Sequence, residues 1–121
     1  APNLLTPESI VGSSAVLAVT TAAQAIVNNP ADSGKLIRVV SLYVANVDGT
    51  NDASVTINRY SQDDLGGTAT KIAHVVVVPA NATRVIVSKD APIHLEEDRS
   101  LGALASANSD LEIVCAYEEI S

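Results

Sequence analysis

The sequence predicts an all-β domain, a single antiparallel β-sandwich of about eight strands, jelly-roll-like or immunoglobulin-like, with an irregular N-terminal arm. Three observations carry this. The chain holds sixteen valines, nine isoleucines and eight threonines and has no Phe, Trp or Met. Such β-branched side chains lose freedom in a helix and pack well on a pleated sheet. Short apolar alternations recur between turn residues at the spacing of a sandwich or barrel, and no helix-length segment shows a helical period. With 121 residues, 47% of them hydrophobic and 17% charged, the chain suits one domain over residues 1–121.

Residues 1–12 form the arm, because Pro2, Pro7 and Gly12 oppose regular structure; residues 13–121 form the sandwich. The arm's apolar side chains, Leu4, Leu5, Ile10 and Val11, need a surface supplied from elsewhere and are the candidate partner contacts. Residues 14–20 read as the first strand and 24–28 as the second, ended by Asn28-Asn29-Pro30. Alanine is the best helix former, so the Ala-rich residues 20–27 leave a short helix as an alternative. After the Asp32-Ser33-Gly34 turn, residues 36–46 make the longest strand. Leu36, Val40, Leu42 and Val44 share one face and Ser41 and Tyr43 the other, although Arg38 falls on the apolar side.

Asp48-Gly49 marks a turn, and residues 54–60 return with Val55 and Ile57 on one face, making this pair the clearest hairpin. The polar residues 61–67 lead to a strand over 70–78, whose Val75-Val76-Val77-Val78 run suits burial on both faces. Residues 83–88 follow the Pro79-Ala80-Asn81 turn, 92–95 form an extended link, and 99–106 with 111–118 form the final pair. The expected core contains Val40, Leu42, Val44, Val55, Ile57, Val76, Val85, Leu111 and Ile113. Tyr43, Tyr60 and Tyr117 are its aromatic candidates, so the core is thin, and neighbouring subunits in a homo-oligomer are expected to support it.

The net charge is -7, from fourteen acidic and seven basic residues, and no stretch gathers Lys or Arg. Nucleic-acid binding rests on such a patch, so DNA, RNA and acidic membranes are excluded as partners. The apolar run Val75 to Val78 is far too short to cross a bilayer. The first residues lack the basic and apolar regions of a signal peptide, and synthesis in the cytoplasm is expected.

Candidate chemistry is sparse. His74 and His94 lack partners at zinc-ligand spacing. Cys115 alternates with Leu111 and Ile113 and reads as a small core hydrophobe, not a nucleophile. No G-x-S-x-G elbow is present. Asp48-Gly49-Thr50-Asn51-Asp52 clusters oxygen ligands but departs from an EF-hand loop and reads as a solvated turn. Gln62-Asp63-Asp64 and Glu96-Glu97-Asp98 read as solvated loops, because paired carboxylates acting on sugars need a cleft and aromatic platforms. Gly66-Gly67 lacks a phosphate loop's lysine and reads as a flexible turn. Asn81-Ala82-Thr83 matches a glycosylation acceptor, which matters only in a secretory compartment. The expectation is no enzyme, no catalytic residue, no metal and no cofactor.

Several stretches form a familiar series: residues 36–46 running into Asp48-Gly49-Thr50, then Val55-Thr56-Ile57, Pro79-Ala80-Asn81-Ala82-Thr83, Ile93-His94-Leu95-Glu96-Glu97-Asp98 and residues 111–119. Over residues 34–120 this order resembles small virion structural proteins of tailed bacteriophages. Those relatives read Glu, Gly, Asp after the position of Leu95, whereas Glu97-Asp98 keep the acidic character without the glycine. The resemblance implies a β-sandwich exposed on a particle, with no catalytic residues. The function it implies is that of a capsid decoration or cement protein on the capsid exterior, bridging neighbouring capsid subunits. The major capsid protein or another virion protein is the expected partner. The rivals are a head-to-tail connector, tail or fibre-base component and, from a different class, a glycan or cell-surface binding module.

Overall fold

The computed structural model describes residues 9–121. These form nine strands and no helix: β1 (Ile10–Ala18), β2 (Gln24–Asn29), β3 (Leu36–Asn46), β4 (Ala53–Gln62), β5 (Gly66–Val78), β6 (Thr83–Val87), β7 (Ile93–Leu95), β8 (Arg99–Ala105) and β9 (Leu111–Ile120). The Ala-rich segment before β2 does not become a helix, and residues 93–95, expected as a link, pair with β3 as a short strand.

One sheet has the order β1-β9-β3-β6, with β7 also on β3, and the other the order β2-β8-β4-β5; all pairs are antiparallel. The pairing is nested: β4 with β5, β3 with β6 and β7, β2 with β8, β1 with β9. A long hairpin rolled so that its arms alternate between two sheets is a jelly roll, which decides between the two sandwich types the sequence allowed.

Two expected pairings are therefore corrected. β3 and β4 do not form a hairpin, because they lie in opposite sheets, and β8 and β9 are likewise separated. Asn46 shows why the first connection crosses. It is buried at the end of β3, and its Nδ2 donates to the carbonyls of Asn51 at 3.0 Å and of Val78, in the other sheet, at 2.9 Å. Its Oδ1 accepts the Asp48 N–H at 2.9 Å. Asn29, fully buried at the end of β2, does the same in reverse, donating to the carbonyls of Lys35 and of Leu95 in the first sheet. Buried amides retain their positions only when hydrogen bonded, so these two side chains tie the sheets together at their ends.

The core fills the space between the sheets with Ile37, Val39, Leu42 and Val44 from β3, Val55 and Ile57 from β4, Leu101 from β8, and Leu111, Ile113 and Cys115 from β9. Complete burial of each aliphatic side chain contributes about 1.5–3 kcal/mol. Val40 is not among them. The β3–β9 register shifts between Val39 and Ser41, and this bulge switches the parity of β3. Ile37 and Val39 therefore point inward, and Arg38 turns outward onto Glu118. Val76, paired with the buried Val55, sits on the edge strand β5 and is only partly buried, whereas Val85, paired with Tyr43, lies on the outer face of its sheet and is exposed. The Val75–Val78 run is not covered on both faces, since Val75 and Val77 are exposed. A bulge in β5 places Val75 at φ 50, its N–H bonded to Thr56 Oγ1 at 3.1 Å.

Candidate functional site

The polar groups singled out by sequence are dispersed or consumed by turns. His74 lies on β5 and His94 on β7, exposed and in opposite sheets. Among the described residues no group of three or more His, Cys, Asp and Glu is arranged to hold a metal ion. Cys115 is fully buried, and burial pushes its thiol up to about 12, where the thiolate is not available for attack.

Asp48 folds its carboxylate back on its own turn, Oδ1 accepting the N–H groups of Thr50 at 2.8 Å and Asn51 at 3.4 Å. Those bonds hold its pKa below the usual carboxylate range. Asp52 accepts the Ala80 N–H at 3.0 Å, joining this turn to the one after β5. Asp64 at φ 52 and Leu65 at φ 62 make the β4–β5 turn, and Gly66 and Gly67, expected as a flexible turn, are instead the first residues of β5, with Gly67 at φ 71 beside Ser61. Asn81, in the left-handed region at φ 60, makes the next turn.

The two acidic loops, separate in sequence, meet in space. The Asp63 N–H donates to Asp98 Oδ1 at 3.2 Å, and Arg59 and Arg99 approach Glu96 at 3.8 Å each. Burial first, then the hydrogen bond and charge of Asp98 and the charge of Asp64, raise the Asp63 pKa. This knot joins the β4–β5 and β7–β8 connections.

Of the candidate contacts, Leu4 and Leu5 lie outside the described residues. Ile10 and Val11, expected in an irregular arm, are instead the first residues of β1, paired with Ile120 and Glu119. Pro7 precedes β1 in sequence, and every residue of β1 has an N–H to offer; Ser9 and Ser121 exchange backbone bonds at 3.1 and 2.9 Å. The side chains of Ile10 and Val11 are exposed at the sheet's rim.

The feature that sequence reasoning missed lies on the outer face of the same sheet. Val16 pairs with Val114, Val114 with Tyr43, and Tyr43 with Val85. These four exposed side chains form a continuous apolar row across β1, β9, β3 and β6, at 72%, 39%, 40% and 63% exposure. The next row on one side is small, Ser14, Ala116 and Ser41. Beyond it stand Gly12, Glu118, Arg38 and His94, where the Arg38 guanidinium holds Glu118 Oε1 at 2.7 Å. That partly exposed ion pair contributes less than about 1 kcal/mol. Tyr43, expected as a core aromatic, belongs to this outer row; Tyr60 is buried and Tyr117 packs partly against the core. The Ser41/Tyr43 parity already placed Tyr43 outside, but the partners of its row are non-local and carry no sequence signal.

No protein-family model matches the chain, and no curated protein matches it. Among solved structures, a chain from work titled "Bacillus endospore appendages form a novel family of disulfide-linked pili" is similar in fold. It has 20% identity and a TM-score of 0.53, over 93% of this chain and 88% of that one. The likeness supports the all-β sandwich architecture.

Proposed function

We propose that the chain is a non-enzymatic structural protein of a tailed-phage virion, a decoration or cement subunit that binds the outer capsid surface and bridges neighbouring capsid subunits. The observation that carries this reading is the apolar row Val16, Val114, Tyr43 and Val85 across an outward sheet face. A contiguous apolar patch of this kind marks a contact surface for another protein. Its partner is the major capsid protein, and the net charge of -7 suits an exterior position away from packaged DNA. The fold-level neighbour comes from endospore appendages described as disulfide-linked pili, whereas the one cysteine of this sequence, Cys115, is buried.

Gold labelling of native virions with an antibody to this chain tests the proposal. Label distributed over the capsid exterior is the expected result, together with loss of binding to stripped capsids in Tyr43→Lys. Label confined to the tail, or absent from virions, overturns it.

A further inference from the structure

Four sheet edges are open in the described fold, and three carry features that discourage strand pairing. β2 is short, bulged between Ala25 and Val27, and followed by Pro30. β5 has Lys71, several register shifts and the left-handed Val75. The fourth strand of the other sheet is split between β6, which carries Arg84, and the three-residue β7. Charge, bulges and brevity are the usual protection of an edge. β1 has none of these. Its nine residues contain no charge and no proline, and its ladder with β9 runs from Ile10↔Ile120 to Ala18↔Glu112 without a shift.

We infer that the free edge of β1 pairs antiparallel with β1 of a second copy of this chain, about a two-fold axis at Ser14. That register sets Ser14 beside its own copy, Ser13 beside Ala15, Gly12 beside Val16, Val11 beside Leu17 and Ile10 beside Ala18. Every pair joins small or apolar side chains, and the largest outward residues, Val16 and Ile10, meet Gly12 and Ala18. The acidic character of the chain does not oppose the contact. The glutamates of β9 stay three strand spacings, about 14 Å, from β9 of the copy, beyond the Debye length of about 8 Å at physiological salt. The symmetric arrangement closes, giving a dimer and not a fibre.

The pairing does not depend on the particle reading, but it has a consequence for it. An axis perpendicular to the sheet points both outer faces the same way. The outer face of one copy, four strands wide and about 30 Å long, covers roughly 600 Å², below the roughly 800 Å² per partner of a stable interface. Two faces side by side exceed that, so a dimer can dock bivalently where one copy is marginal.

Sedimentation velocity of the full chain tests this, using wild type, Ser14→Lys, Ser14→Glu and, as a control on the opposite rim, Val85→Lys. Circular dichroism checks that each is folded. Wild type and Val85→Lys are expected to dimerise at micromolar concentration. Each Ser14 variant is expected to weaken the dimer at least tenfold, and an equimolar mixture of the two to restore it, since only this register opposes lysine to glutamate. A monomeric wild type, a dimer unaffected by either Ser14 variant, or one lost in Val85→Lys and kept in Ser14→Lys overturns the inference. Capsid binding is not part of this readout, so dimerisation without binding would refute the function proposed above and leave the pairing standing.

Discussion

Replacing Asn46 by alanine removes three hydrogen bonds at the crossing between the sheets. Their losses are unequal. The Asn51 carbonyl and the Asp48 N–H lie in the more open connection and regain water, so each forfeits only about 0.5 kcal/mol of net bonding. Val78 is fully buried, and its carbonyl, left without this donor, adds about 1–3 kcal/mol. The expected loss is about 2–4 kcal/mol, a large share of the roughly 5–15 kcal/mol that holds a domain folded. Urea unfolding followed by far-UV circular dichroism should show a lower midpoint with an unchanged m-value, because the surface exposed on unfolding is the same. Asn108→Ala is the control: its Oδ1 accepts the Thr21 N–H at 2.9 Å in an exposed turn, and its removal should lose less than about 1 kcal/mol. If the two variants unfold alike, Asn46 does not staple the sheets and the reasoning fails.

Gly102→Ala should destabilise the fold by about 1–3 kcal/mol. An added Cβ would stand 2.5 Å from Leu65 Cδ2 and 2.9 Å from the Gln24 carbonyl oxygen, a backbone atom, and thermal unfolding measures the loss. Asp63→Asn should stabilise the protein at neutral pH, with the gain shrinking on acidification. The folded pKa of Asp63 lies above 3.8, so ionisation is less favourable in the folded state. Its relative stability is full below 3.8 and lost as pH rises through the raised value. Urea midpoints from pH 3 to 7 give the trend, and a constant gain across that range would refute the raised pKa of Asp63. Cys115 should resist a disulfide-exchange reagent at pH 8 in the native protein and react fully in urea, because its buried thiol titrates at about 12; rapid native labelling would contradict the packing of β9.

The sequence alone determined the class of the fold, most strand positions and much of the core, because those rest on local properties: β-branched side chains, alternation over a few residues, and turns at Asp48-Gly49 and Pro79-Ala80-Asn81. Leu42, Val44, Val55, Ile57, Leu111 and Ile113 were legible as core and are buried. Tertiary structure decided which strands pair. β3 and β4 adjoin in sequence yet cross between sheets, since Asn46 reaches Val78 in the opposite layer. It also decided parity within β3, where one bulge at Val40 exchanges the inner and outer faces of the strand's first half. The apolar row was hidden for the same reason. Val16, Tyr43, Val85 and Val114 are brought together only by the register of four strands, and whether a valine is core or surface depends on what the fold lays over it.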